Sequence, residues 1–98
     1  FDSHLERKGY LALSEGMMAL ASGEARLALT RAQTAERLLG KPELTTLLVA
    51  QAAEAAGDRP RATEAYKALL SDDKTRFVGI RGLIQQKLAE GDRETALK

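Results

Sequence analysis

Between Gly9 and Ala21 only Ser14 and Glu15 are strongly polar, so a helix over this stretch is apolar around nearly its whole circumference. Such a helix needs cover on more than one side. Its small residues, Gly9, Ala12, Gly16 and Ala19, recur at three- and four-residue steps and form one stripe, while Tyr10, Leu13, Met17 and Leu20 form another. A glycine inside a helix costs roughly 1 kcal/mol relative to alanine. Two of them on one stripe therefore argue for a packing reason, the close approach of a neighbouring helix backbone.

Glycines and polar clusters divide the rest of the chain into similar segments. Asp2 and Ser3 followed by Glu6 read as a capping box opening a first helix that runs to Ser22, before Gly23. A second helix spans 24–39 and stops at Gly40, and Pro42 then suits the first turn of a third, over 43–56, which stops at Gly57. Asp58 caps a fourth helix, with Pro60 tolerated in its first turn, running to Leu70. The polar stretch Ser71 to Lys74 precedes a fifth that ends before Gly91, and Asp92 caps a truncated sixth.

The spacing of these stops matters more than any single one. Gly23, Gly57 and Gly91 lie 34 residues apart, each followed by an acid, Glu24, Asp58 and Asp92. Two alanine columns share the register: Ala21, Ala55 and Ala89, and Ala28, Ala62 and Ala96. A 34-residue period is that of the tetratricopeptide repeat, a helix A, a tight turn and a helix B. Glycine then turns the chain between A and B, the acid caps helix B, and both alanine columns sit where helices touch. Units begin at Gly9, Glu43 and Phe77, with Gly16, Ala35, Ala50 and Tyr66 at small or aromatic packing positions. The repeats are divergent, because Ala12, Thr46 and Ile80 stand where a tryptophan is usual and Gly40 and Lys74 where a late proline is usual. The expected fold is all-α, a single domain over 1–98 built as a right-handed superhelical stack of antiparallel helix pairs, five helices plus a truncated sixth. An unrelated helical bundle with regular loops is the alternative.

Composition strengthens the helical reading. Alanine supplies 17 and leucine 16 of the hydrophobic residues, while valine, isoleucine, phenylalanine, tyrosine and methionine contribute two each. Strand-forming residues are thus scarce, and the core must depend on close helix contact rather than on large anchors. Fifteen basic against 14 acidic residues leave a net charge of +1, without the basic excess that nucleic acid or an anionic membrane requires. The absence of cysteine excludes disulfides and sulfur-ligated zinc. No apolar run reaches the roughly 18 residues of a membrane span, and nothing resembles a signal peptide. A start at Phe1 and a stop in mid-pattern suggest a piece of a longer protein.

Three stretches, GYLALSEGMMALASG (Gly9 to Gly23), LLGKPELTTLLVAQAA (Leu38 to Ala53) and FVGIRGL (Phe77 to Leu83), resemble the first soluble region of the HemY family of the α-proteobacterial type. The resemblance covers nearly the whole chain. It implies a tetratricopeptide-containing protein of the bacterial inner membrane, associated with late haem biosynthesis and porphyrin metabolism. Membrane helices would precede this region, more repeats would follow it, and the repeat domain would lie on the cytoplasmic side. The family is described as non-enzymatic, with a role in organising late haem-pathway enzymes or handling their product. The dinucleotide-binding glycine pattern of the flavin-dependent oxidase that sometimes shares the name is not found in the sequence.

The residues offer little chemistry of their own. His4 is the only histidine and by itself cannot nucleate a zinc site. His4 with Met17 or Met18 as axial haem ligands is a weaker reading than core methionines. Asp72 and Asp73 read as caps of the fifth helix rather than paired catalytic acids. Gly79 and Gly82 sit three apart within a helix and form no phosphate loop. No enzymatic activity, metal or cofactor is expected. In a tetratricopeptide unit the positions of Tyr10, Leu13, Met17 and Leu20 face a concave groove. The same positions in the later units are Leu44, Leu47, Gln51 and Glu54, then Val78, Arg81, Gln85 and Leu88, so the groove begins apolar and becomes polar. The expected function is a scaffold that binds a protein partner there through Tyr10, Leu13, Met17, Leu20, Leu47, Gln51, Glu54, Arg81 and Gln85. The rivals are direct haem or porphyrin binding around Tyr10, Met17 and Leu20, and a repeat segment that only extends or dimerises the parent, with a homodimer forming through the first helix. The mixed charges along the helix exteriors need no partner.

Overall fold

The structure, a computed structural model, describes residues 3–97 and the side chains of residues 3–93. Five helices follow one another: α1 (Ser3–Ala21), α2 (Ala25–Leu39), α3 (Pro42–Ala56), α4 (Arg59–Ala68) and α5 (Arg76–Leu97), with a 3-10 turn at Leu69–Ser71. The protein is all-α, as its composition requires, and no helix among the described residues is long and apolar enough to cross a membrane.

The 34-residue period is visible in backbone geometry. Gly23 and Gly57 both hold φ at +82°, the left-handed region that side chains rarely adopt. Each turn then closes in the same way: the amides of Glu24 and Asp58 donate to the carbonyls of Ala19 and Ala53, both at 2.9 Å. The acids after the glycines are less alike. The Asp58 carboxylate accepts from the Arg61 amide at 3.2 Å and pairs with Arg61 Nε at 3.0 Å, whereas Glu24 makes no side-chain cap. Asp2, half of the expected capping box, lies outside the described residues.

The sixth helix is a correction. Gly91 does not turn the chain, and α5 continues through it and Asp92 to Leu97. A glycine inside a helix costs only about 1 kcal/mol.

Packing follows the small stripes. Gly9, Ala12, Gly16 and Ala19 are all buried on α1, against α2, whose buried residues are Ala28, Ala32, Ala35 and Leu39. A Cβ on Gly16 would stand 3.3 Å from Arg31 Cβ, 3.4 Å from the Ala28 carbonyl oxygen and 3.1 Å from Leu48 Cδ2, so α1 meets both α2 and α3 there. The arrangement repeats one unit later, where Ala50 and Ala53 of α3 share a core cluster with Ala62, Ala65, Tyr66 and Leu69. Each helix packs on the next and α1 also touches α3, which is compatible with a stack of helix pairs. The result is elongated, 57 × 30 × 18 Å with a radius of gyration of 14.4 Å, against roughly 13 Å for a compact chain of this size.

One alanine column is as expected and one is not. Ala28 and Ala62 are 0 % exposed, and the Ala96 side chain lies outside the described residues. Ala21, Ala55 and Ala89 are exposed. Ala21 and Ala55 each follow a buried alanine, Ala19 and Ala53, by two residues, which is about 200° around a helix. They therefore point away from the contact.

Two glycines of α5 should respond oppositely to alanine. At Gly91 a Cβ meets nothing within 4 Å, so Gly91→Ala should stabilise by about 1 kcal/mol through helix propensity. At Gly82 a Cβ would fall on the ring of Tyr66, so Gly82→Ala should destabilise by roughly 1–3 kcal/mol despite the same propensity gain. Urea unfolding followed by circular dichroism measures both. A loss at Gly91→Ala would mean that residue 91 forms a left-handed turn after all.

Candidate partner-binding surface

The α4–α5 seam has its own chemistry. Tyr66, in the last turns of α4, is 7 % exposed and lays its ring on α5 where Gly82 offers no side chain. One turn earlier a Cβ on Gly79 would stand 2.6 Å from the Tyr66 carbonyl oxygen. Further along, the Thr63 hydroxyl lies 2.9 Å from Oε1 of Gln86, a buried amide, and Arg59 reaches Glu90 at 2.7 Å. These contacts fix the angle and register of α5 against α4.

That register sets α5 across a recess from α3. Leu47 and Gln51 of α3 and Val78, Arg81 and Gln85 of α5 line one recess of ≈ 260 Å³ with Tyr66 and Gly82. Leu47 and Arg81 are 34 residues apart, as are Gln51 and Gln85. Equivalent positions of two successive units therefore face each other across the recess. Among the described residues, the side chains of Gln51, Tyr66, Arg81 and Gln85 make no hydrogen bond or ion pair with the protein. Burial, and secondarily the charge of Glu54, pushes the Tyr66 hydroxyl above the ordinary tyrosine range.

On α1, Tyr10, Leu13 and Met17 line a separate, shallow recess of ≈ 320 Å³ with Ser14, Met18 and Ala21. Lys41, at the α2–α3 turn, donates to the Tyr10 hydroxyl at 3.0 Å and has Glu6 3.9 Å away. The hydrogen bond to Tyr10 is the main reason that the Lys41 ammonium is held above the usual lysine range. Leu13 and Leu20 are half-buried against core clusters, so packing occupies much of their surface. Leu44, Glu54 and Leu88 are exposed and line neither recess. The nine groove candidates thus divide into four that line the α3–α5 recess, three on the α1 recess, and Leu20 and Glu54 outside both.

Sequence reasoning missed Tyr66 and Gly82 as members of this surface. The signal was the spacing of Gly79 and Gly82, two missing side chains on one face of a helix, which marks where a bulky neighbour must lie.

The remaining candidates separate. His4 and Met17 lie thirteen residues apart on the same helix, or about 20 Å at the helical rise. They cannot ligate one haem iron, and Met18 is further still. Asp72 Oδ1 accepts from the Lys74 amide at 2.9 Å and Asp73 pairs with Arg76 at 2.8 Å, so both acids shape the entry to α5. No three histidine or acidic side chains gather into a metal-binding group among the described residues.

The Tyr66 hydroxyl has a consequence for stability. Its folded-state affinity for the proton is higher than in the unfolded chain, so its contribution is complete below about pH 10 and is lost as pH rises through the higher folded value. Urea unfolding at pH 8 and pH 11 should show wild type losing more stability than Tyr66→Phe. Equal losses would mean that the hydroxyl is not in an environment that resists ionisation.

No curated protein and no solved structure matches this chain. Residues 1–57 match a family model described as the HemY protein N-terminus. The match runs from α1 through the Gly57 turn, and so contains the small-residue stripe, its partner helix α2, and all of α3. With more than half of its residues inside that match, the chain belongs to the HemY family.

Proposed function

We propose that this chain is a non-catalytic, tetratricopeptide-like scaffold that binds a protein partner on its helix-A surface, in a protein associated with late haem biosynthesis. The observation that carries the reading is the α3–α5 recess, where Leu47, Gln51, Arg81 and Gln85 come together from equivalent positions of two repeats. A repeat that presents the same face of successive A helices makes an extended surface suited to a peptide or a protein element. The apolar end of that surface is Tyr10 and Met17, the latter 58 % exposed, and the polar end is Gln51, Arg81 and Gln85. Membership of the HemY family supports the link to haem biosynthesis. On this reading the partners are enzymes of the late haem pathway, and the parent protein is held at the bacterial inner membrane by segments other than the helices described here, with the repeats on the cytoplasmic side.

The experiment is surface plasmon resonance of the immobilised chain against each purified late haem-pathway enzyme of its own organism. Wild type should bind at least one of them saturably. Met17→Glu and Arg81→Glu should each weaken that binding by about tenfold, the scale of one lost interface contact, with helicity unchanged by circular dichroism. Binding that survives both changes would overturn the assignment of this face. Direct haem binding is the competing reading, since the α1 recess holds Tyr10, Met17 and Met18. Titration with haemin should give no saturable shift of the Soret band, and a saturable shift lost in Met17→Glu would favour the competitor.

A further inference from the structure

Four of the described arginines are tied to acids, whereas Arg7, Arg26, Arg37, Arg81 and Arg93 are not. Arg31 meets Glu15, Arg59 meets Glu90, Arg61 meets Asp58 and Arg76 meets Asp73. Arg81 differs because it lines a recess and has no carboxylate partner among the described residues. A guanidinium is charged at every relevant pH and offers five N–H donors in a planar fork. Around it stand three more groups able to donate and left without a protein acceptor, the amides of Gln51 and Gln85 and the hydroxyl of Tyr66. No acid lines the recess, and Glu54, one turn beyond Gln51 on α3, lies outside it.

A set of donors around one fixed positive charge is complementary to a planar anion of single charge. A phosphate is a poorer match, because its second charge would find no second cation in the recess. Leu47 and Val78 give the recess apolar walls beside its donors. An acid presented between apolar side chains satisfies both features. The repeat register also offers further surface toward α1 at Tyr10, Leu13 and Met17, which favours a side chain within a continuing peptide over a chain terminus.

Building on the partner-binding reading above, we propose that the α3–α5 recess receives the carboxylate of a glutamate or aspartate side chain in an extended partner segment. Arg81 pairs with the carboxylate, Gln51, Gln85 and Tyr66 complete its hydrogen bonds, and the neighbouring apolar side chain of the ligand rests on Leu47 and Val78. The partner is an acidic, leucine-rich peptide segment rather than a basic or purely apolar one.

The test uses the whole chain and two fluorescein-labelled, C-terminally amidated hexapeptides, one alternating leucine with glutamate and the other leucine with glutamine. Fluorescence anisotropy should give saturable binding of the glutamate peptide and at least about tenfold weaker binding of the glutamine peptide. Arg81→Gln should weaken the glutamate peptide by about tenfold. Arg93→Gln, which removes the same charge from an exposed site on the same helix, should leave binding within about twofold. Equal losses in the two arginine variants would show a diffuse charge effect and overturn the proposal, as would no saturable binding of the glutamate peptide. Equal affinity for the two peptides, with both lost in Met17→Glu, would overturn the carboxylate site while leaving the partner-binding face in place.

Discussion

Close contact between helices through side chains of one carbon or none is the constraint on which the fold depends. Gly9, Ala12, Gly16 and Ala19 let α1 approach α2 until the position of a missing Cβ is within 3.4 Å of a carbonyl oxygen on the other helix. Alanine buries little area, so such a core is held by many short dispersion contacts rather than by the insertion of large groups. Those contacts exist only at close range. The left-handed glycines at 23, 40 and 57 return each helix directly onto its predecessor and keep that range short. Packing of each helix chiefly on its sequence neighbours also accounts for the elongated shape.

The last seam is built differently, and the candidate site follows from the difference. Between α4 and α5 the Tyr66 ring fills the space vacated by Gly82, the Tyr66 carbonyl and Leu69 close on Gly79, and polar pairs Thr63–Gln86 and Arg59–Glu90 continue the contact. A buried amide such as Gln86 is tolerable only because its acceptor and donor both find partners. The ring forms part of the wall between α3 and α5, which is why Leu47, Gln51, Arg81 and Gln85 surround a recess instead of closing on one another. The opposite side of α5 shows what the repeat leaves open. Ala12 and Gly16 of α1, and Thr46 and Ala50 of α3, are buried against the following helix, whereas their equivalents Ile80 and Ile84 are exposed, because no described helix follows α5.

Much of the fold was legible in the chain because helix propensity and glycine turns are local. The scarcity of strand-forming residues gave the all-α class, and Gly23, Gly40 and Gly57 placed helix boundaries to within about two residues, the usual latitude of helix ends. The stripe at Gly9, Ala12, Gly16 and Ala19 correctly announced a helix–helix contact. Gly91 shows the limit of local reading. It stands in the same column as Gly23 and Gly57 and is followed by the same kind of residue, yet it is helical. Whether a glycine turns the chain depends on what the chain gains by turning, and that gain comes from the helix that packs afterwards.

By itself, then, the sequence determined the all-α class, the left-handed turns at Gly23, Gly40 and Gly57, and that the helices must pack by small-residue contact, since each of these follows from short-range sterics and composition. Only the tertiary structure decided the rest. It sent the Ala28 and Ala62 column inward and the Ala21 and Ala55 column outward, though both share one period. It brought Arg81 and Gln51 to one recess and set Tyr66 of α4 in its lining. A repeat period counts residues along the chain, whereas the facing of a side chain depends on the angle at which two helices meet. In this protein Tyr66, seated against Gly79 and Gly82, sets that angle for the candidate site.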